Sequence, residues 1–383
     1  VRSKITMPRI LTVIGDLHFS ASDRLKYASI IDGGRLFDKI AFMNHIRNRM
    51  LITDSRDLVI IGDLFDSNNP NEFIRKVVID ELIKFLNADI SIYLCVGNHE
   101  TDGETNCFES VGSLYNLVGG TNQFIGKLFI YRQEEISILP IGGHPTVVIS
   151  GWDSDYSRLQ EKLLSKGYNR KPLLLGHASL LGTSTTGKKF KFDGLSCEEL
   201  SKKYNYGLFG HYHNFQEVYP NFTCLGSCVR VDHDNESKRY FAEIALDSHE
   251  DYKISFIEYL DREFVTILLP IGSEISKDTI KIPSAGAIIK VVVEVEEGKS
   301  ISRSDNSKIR SIIREGGGYC SFIEPKVISV YSDINKIDIS SLGGTSDLGG
   351  FLENVLKEYV KEYGGGKTIE DYGMKCLKGV LSD

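Results

Sequence analysis

The chain has 383 residues, 41% hydrophobic and 25% charged, with 45 Lys and Arg set against 52 Asp and Glu. These proportions are ordinary for a globular chain and exclude a disordered one, a collagen or a coiled-coil rod, and no apolar run approaches the roughly 20 residues a membrane helix needs. The formal charge of −7 argues against bulk coating of nucleic acid, while leaving room for a local basic groove or for carboxylates gathered to hold cations. Arg2 and Lys4 precede the apolar stretch Ile10–Ile14, but Asp16 and His18 follow at once without a small-residue cleavage site, which reads against a secretory signal. Short apolar runs at Ile10–Ile14, Leu58–Ile61, Ile90–Val96, Leu173–Leu175 and Tyr206–Phe209 predict buried strands. Between them Gly34–Met50, Asn71–Asn87, Phe108–Val118, Tyr156–Lys166 and Ser196–Lys203 carry helical spacing, so the alternation predicts an α/β fold around a largely parallel sheet. From about Phe215 the texture changes: Phe215–Tyr219, Phe222–Leu225, Arg239–Leu246, Tyr252–Tyr259 and Glu263–Leu268 predict successive antiparallel strands of a second sheet that completes a sandwich. After the polar link Pro270–Ser284, the runs Ala287–Val295, Lys308–Arg314 and Phe322–Val330 read as a small β-α-β module. Ser340–Gly350 is a Ser- and Gly-rich linker, followed by Leu348, Leu352, Val355, Tyr359 and Tyr363 at helical spacing. Such a tethered amphipathic helix either docks on a partner or packs back on its own domain. The expected organisation is therefore a main domain over 7–270, a small module over 285–340 and C-terminal helices over 347–383. Seven scattered cysteines without a C-x-x-C pair read as reduced thiols in a cytosolic protein.

Five short polar motifs follow apolar strands: Gly15-Asp16-Leu17-His18, Gly62-Asp63-Leu64-Phe65-Asp66, Gly97-Asn98-His99-Glu100, Gly176-His177 and Gly210-His211-Tyr212-His213. In open α/β sheets such strand ends are where ligands bind. Glycine permits a tight exit from the strand and a close approach of backbone to ligand. The side chains on offer are carboxylates, imidazoles and one amide, which suit a pair of divalent cations such as Mn²⁺, Fe²⁺ or Zn²⁺. In Asp16-x-His18 and His211-x-His213 the residues lie two apart, so in an extended segment both point the same way and can serve one site. Two cations about 3.5–4 Å apart need a bridging group, and Asp63 is the natural carboxylate for it. A single Gly-Asp or Gly-His is most often a turn residue with a satisfied side chain. Five of them in this order after apolar strands are not a coincidence of turns.

The order D-x-H, G-D-x-x-D, G-N-H, H and G-H-x-H resembles the calcineurin-like metallophosphoesterases, and within them the SbcD-type DNA nucleases of phage recombination and double-strand-break repair. The resemblance covers residues 9–268 well and the remainder loosely. It implies a metallophosphoesterase sandwich of two β-sheets flanked by helices, with a small α+β capping domain and C-terminal helices. It implies that Asp16, His18 and His213 hold one metal, that Asn98, His177 and His211 hold the other, and that Asp63 bridges them. His99 would act on the leaving oxygen of the scissile phosphate, with Asp66 hydrogen-bonded to it and favouring its protonated form. The implied cofactors are two divalent metal ions, Mn²⁺ first, with Mg²⁺ or Fe²⁺ as alternatives. The implied activity is 3′-to-5′ exonuclease on duplex DNA and endonuclease on single strands, by a metal-bridging hydroxide attacking the phosphodiester in line. The implied partners are DNA, a second copy of the chain and an SbcC-like SMC-type ATPase met by the C-terminal helix, in the cytoplasm and with no membrane contact.

Two departures bear on the substrate. Glu100 stands where the nucleases carry Asp, a form common in protein Ser/Thr phosphatases. Those enzymes, however, carry Gly and an Arg-Gly pair where this chain has Phe19 and Ser67-Asn68. A phosphoprotein phosphatase or small phosphodiesterase is thus the rival reading, and a non-catalytic scaffold the third, which the intact ligand set opposes. Outside the motifs, Lys188, Lys189 and Lys191 alternate with Phe190 and Phe192, either a solvated loop or a basic, aromatic strip for nucleic acid. Trp152, the single tryptophan, reads as core packing or a lid ahead of base stacking, and Cys224 and Cys228 as small buried residues.

Overall fold

The computed structural model describes residues 8–20, 34–102, 105–110, 126–139, 147–152, 154, 156, 171–185, 188–189, 194–231, 233, 238–247 and 252–328. The chain divides into two compact units, one of residues 1–295 with 300–326 and one of residues 296–299 with 327–383. Of the second unit the structure describes a tight turn, in which Lys299 N donates to Glu296 O at 3.0 Å, and the last residues of a strand. The expected linker at 340–350 and the C-terminal helices over 347–383 lie outside the described residues, as do the helical runs from Val111 and Ser157 onward.

In chain order the first half runs β1 (Arg9–Ile14), α1 (Gly34–Thr53), β2 (Asp57–Ile61), α2 (Glu72–Asn87), β3 (Ser91–Cys95), a 3₁₀ turn at Asn98–Glu100, α3 (Cys107–Ser110), β4 (Leu128–Tyr131), β5 (Ile136–Ile138) and β6 (Val147–Ser150). There follow β7 (Leu173–His177), β8 (Ser184–Thr185), β9 (Lys188–Lys189), α4 (Cys197–Lys203), β10 (Tyr206–Gly210), β11 (Gln216–Tyr219), β12 (Phe222–Cys224), β13 (Arg239–Leu246) and β14 (Tyr252–Tyr259). The last elements are β15 (Phe264–Leu269), β16 (Ile288–Glu296), α5 (Arg303–Glu315) and β17 (Tyr319–Ile328). Helix boundaries follow capping chemistry: Asn71 accepts from Ile74 N ahead of α2, Ser196 from Glu199 N ahead of α4, and Ser302 from Asp305 N ahead of α5.

Two six-stranded sheets carry the fold, ordered β14-β13-β1-β2-β3-β4 and β11-β12-β10-β7-β6-β5. Strands β1 to β4 run parallel, as do β12, β10, β7 and β6. Because successive strand side chains point to opposite faces, each central strand feeds two cores. Leu58, Ile60, Ile92 and Leu94 pack under Phe42, Ile46, Val78 and Phe85 of α1 and α2. Their alternates Val59, Ile61 and Tyr93 meet Ile149, Leu173, Leu175 and Leu208 of the other sheet, forming the core between the sheets. Leu174, Phe209 and Phe222 pack on the outer face with Cys197 and Leu200 of α4. The sandwich with flanking helices is as expected.

The allocation of the later strands differs from the sequence reading. β13 and β14 do not build the second sheet; they extend the first, pairing antiparallel beyond β1. β12 lies parallel to β10. Residues 264–269 pair in parallel with β16 in a separate three-stranded sheet, order β15-β16-β17, whose core is closed by Ile309 and Ile313 of α5. The physical reason is that alternation specifies which face of a strand is buried, not which neighbour supplies its hydrogen bonds.

Candidate metal centre

The five motifs sit at the carboxyl ends of β1, β2, β3, β7 and β10, and the two sheets bring them to one spot. Gly62 and Gly97 show how closely. A Cβ on Gly62, whose φ is +86°, would lie 2.3 Å from His177 Nδ1, and one on Gly97 would lie 2.2 Å from Asp63 Oδ1. Four polar residues of the cluster adopt left-handed backbone: Asp16 (φ 51°), His18 (48°), Asp63 (48°) and His211 (104°). Each such conformation costs about 1–3 kcal/mol and persists only where the surroundings enforce it, as functional sites do.

Asp63 stands at the middle. Its Oδ2 lies 3.6 Å from His18 Nε2 and 3.4 Å from His177 Nε2. Asn98 Oδ1 is 2.9 Å from His177 Nε2 and 2.8 Å from His211 Nδ1. Two groups of potential ligands result, His18 with Asp63 and His99, and Asp63 with His177 and His211, the atoms of each within 4.8 Å of one another. The ring of His213 lies edge-on to His18 at 4.7 Å between centroids. Asp16, fully buried, accepts from His211 N at 2.9 Å and lies 3.7 Å from His177 Nδ1.

The donor set fits divalent cations. Asp63 Oδ2 and His18 Nε2 are buried and make no hydrogen bond, an arrangement that is costly unless a cation completes it. The His177 imidazole is aimed by its other nitrogen. His177 Nδ1 lies 2.9 Å from the carbonyl of Ile61, which only accepts, so Nδ1 carries the proton and Nε2 faces the cluster. His18 Nδ1 lies 3.2 Å from the Asp66 carboxylate, an ion-pair contact without hydrogen-bond geometry. Lys39, buried, donates to the His18 carbonyl and fixes the backbone behind it.

Electrostatics reinforce the picture. Burial alone would raise the Asp63 carboxyl, but His177, His18 and His99 outweigh it and hold Asp63 well below the usual carboxylate range. Burial would depress His177, yet Asp63 and then Asp16 push it up to about 9. Burial, with Asp63 adding to it, raises Asp16 to about 7 against the pull of His177. Burial and then the charge of His177 lower His211 to about 4.

His99 lies at the rim, half-exposed, with its N–H donating to Asp63 Oδ1 at 3.1 Å. Its link to Asp66 differs from the expected one. His99 Nδ1 contacts the Asp66 main-chain carbonyl at 3.0 Å, while the Asp66 carboxylate is 3.7 Å from His99 and nearer to His18. The backbone turn after Phe65 presents the carbonyl first. Because a carbonyl only accepts, His99 carries a proton on Nδ1, which leaves Nε2 as the nitrogen not engaged by Asp66.

Glu100 takes a role that sequence reasoning did not assign, and Trp152 lies against two of the candidate ligand histidines. The Glu100 carboxylate, wholly buried, accepts from Phe65 N at 2.9 Å and Gly97 N at 2.7 Å, tying the Asp63 loop to the Asn98 loop. The Gly97-x-x-Glu100 spacing, half of a capping box, was the available signal. Its side chain is spent on backbone. Trp152 lies 4.9 Å from His211 and 5.7 Å from His177 between ring centroids. Lys188 and Lys189 form β9, paired with β8. Their side chains, and all of Lys191, lie outside the described residues. Cys224 and Cys228 are buried, as expected.

The chain is 24% identical over 322 residues to the DNA double-strand break repair protein Mre11 of Methanosarcina acetivorans, an alignment covering 75% of this chain and 49% of that one. The chain thus spans about half the length of this curated relative. Among solved structures, a dimetal phosphatase from Danio rerio superposes with a TM-score of 0.44 at 12% identity, over 67% of this chain and 98% of that one. The family model for calcineurin-like phosphoesterases matches residues 10–215, more than half of the chain and the span that holds every motif from Asp16 to His213. With that match over these strand ends, the chain belongs to the calcineurin-like phosphoesterase family.

Proposed function

We propose that the chain is the nuclease subunit of an SbcCD-like recombination and repair complex, a two-metal, Mn²⁺-dependent DNA nuclease. The observation that carries the hydrolytic part is Asp63 Oδ2, buried, free of hydrogen bonds and flanked by His18 Nε2 at 3.6 Å and His177 Nε2 at 3.4 Å. Asp16, His18 and His213 would hold one cation and Asn98, His177 and His211 the other, with Asp63 between them. A cation pair there supplies Lewis acidity at the phosphate and lowers the pKa of water. His99, with Nδ1–H held by the Asp66 carbonyl, would as the imidazolium offer Nε2–H to the leaving oxygen, and Asp66 acts through the orientation of His18 and His99.

DNA as substrate is supported by the relative above, whose alignment runs well past residue 215. Exonuclease polarity, DNA contact by Lys188, Lys189 and Lys191, dimerisation, docking of residues 347–383 on an SMC-type ATPase and cytoplasmic location belong to the same proposal and rest on family resemblance. Among the described residues no helix is long and apolar enough to cross a membrane.

The test is degradation of end-labelled single- and double-stranded DNA by the purified chain in Mn²⁺, beside a His99→Ala chain whose bound Mn²⁺ is counted. Cleavage should fall by about 10²–10⁴-fold in the variant with Mn²⁺ content unchanged. Loss of a Mn²⁺ equivalent would instead make His99 a ligand. Turnover of small phosphate esters with DNA left intact would sink the nuclease reading.

A further inference from the structure

Trp152 is the single tryptophan of the chain, and its position is built rather than incidental. The backbone before it is flush against a neighbouring turn: a Cβ on Gly151 would lie 2.1 Å from the Arg132 carbonyl. Trp152 N donates to the carbonyl of Val96 at 2.8 Å, and its own carbonyl accepts from Glu134 N at 2.8 Å. Val96 is the residue immediately before Gly97-Asn98-His99, so the backbone that carries the indole is fastened directly to the loop that carries the amide ligand and the rim histidine. The ring is tilted 37° against His211 and 64° against His177, and among the described residues it belongs to none of the four apolar core clusters. It stays half-buried. Core packing among the described residues therefore does not explain it. A side chain with this much apolar area, packed on imidazoles and only partly covered, leaves aromatic surface beside the place where the phosphodiester would sit.

We propose that Trp152 is the stacking surface for a nucleobase flanking the scissile phosphodiester, which deepens the nuclease reading and rests on it. A base joined through its sugar to a phosphate at the centre lies within reach of a ring that touches His211. Stacking uses the face common to all bases, so it confers little sequence preference but demands an unstacked base. The favoured substrate is consequently single-stranded DNA or a frayed duplex end, with the base swung out of its own stack onto the indole. Trp152 is a specificity residue in this scheme; the proton transfer stays with His99.

Because no other tryptophan contributes, emission reports on this position alone. The first arm titrates the His99→Ala chain, saturated with Mn²⁺, with a short oligothymidylate and with an abasic deoxyribose-phosphate oligomer of equal length. The thymine-bearing oligomer should quench the emission and the abasic one should not. The second arm compares KM for the oligothymidylate in the native chain, in Trp152→Leu, which keeps an apolar wall on His211, and in Trp152→Phe. KM should rise roughly 5- to 150-fold in the leucine variant and return most of the way with phenylalanine, at unchanged Mn²⁺ content. Equal quenching by both oligomers, or an unchanged KM in Trp152→Leu, overturns the proposal. If Trp152→Leu fails to fold, the quenching arm decides alone. DNA cleavage without base-dependent quenching removes the stacking role and keeps the nuclease; a native chain that cleaves no DNA removes the nuclease reading and this role with it, whatever the quenching.

Discussion

Glu100 has both carboxylate oxygens committed to backbone, on Phe65 N and Gly97 N, in a wholly buried position. Removing them leaves two buried N–H groups without acceptors, at about 1–3 kcal/mol each. Glu100→Ala should therefore lower the denaturation midpoint of the EDTA-treated chain and weaken its Mn²⁺ binding; an unchanged midpoint would show that water replaces the carboxylate. The same neighbourhood dictates a pH dependence. Burial, with Asp63 second, pushes Glu100 up to about 8, Asp16 stands near 7 and His177 near 9. All three hold protons in the folded, metal-free state that the unfolded chain releases earlier, so each contributes stability that is lost as pH rises through its folded value. His18 and His211, depressed by burial, act in the opposite sense, but only below about 6.5, the unfolded histidine value. Asp63 acts below the ordinary carboxylate range. In the window from pH 6.5 to 9 the thermal midpoint of the stripped protein should fall, while Mn²⁺ affinity climbs as ligands shed protons. A midpoint that is flat or rises across that window would mean these groups do not titrate as the geometry requires.

At the scale of elements, the parallel strands act as delivery rods. Asp16, Asp63, Asn98, His177 and His211 arrive together because β1, β2 and β3 in one sheet, and β7 and β10 in the other, end at the same level. Those five strands were legible as apolar runs, and α1, α2 and α4 as periodic stretches between them, because each buries a continuous face. Phe264–Leu269 was legible as a strand but not as a member of the small sheet, since its alternation is satisfied equally by either neighbour. Helix α2 supplies a test remote from the centre. Asn71 Oδ1 accepts from Ile74 N at 2.9 Å, and Asn71→Ala should cost about 1 kcal/mol of stability with metal binding intact. A loss well below that, in urea denaturation, would mean the helix is held by Val78, Leu82 and Phe85 alone.

At the scale of the whole molecule, a polar knot joins the first sheet to the three-stranded one. Arg35, 1% exposed at the start of α1, pairs with Asp38 at 2.5 Å and Asp261 at 3.2 Å, donates to the Arg230 carbonyl, and lies 5.0 Å over the ring of Phe264. Arg262 reaches Asp38 at 2.6 Å and covers Tyr319 at 5.1 Å, while His233 meets Ser321 at 2.7 Å. The short segment between β14 and β15 is thereby clamped to α1. Arg35→Ala should cost about 3–5 kcal/mol, because it leaves the buried Asp261 carboxylate without its side-chain cation and takes one of the two arginines from Asp38. Calorimetry of the variant showing a loss under about 1 kcal/mol would mean that water already screens the knot.

The residue types and their order along the chain determined the chemistry by themselves. Aspartate, asparagine and histidine after glycine at apolar strand ends leave few other uses, and strand-end ligands are a local property that spacing records. What the tertiary structure alone decided were the relations between segments distant in sequence. The Asp66 carboxylate turned to His18, Glu100 went to backbone, Trp152 came against His211, and β13 and β14 joined the first sheet. Each of these depends on which of several equally apolar edges or equally polar neighbours comes within hydrogen-bonding or packing distance, and that choice is made by the packing of two sheets, not by the periodicity of any one segment.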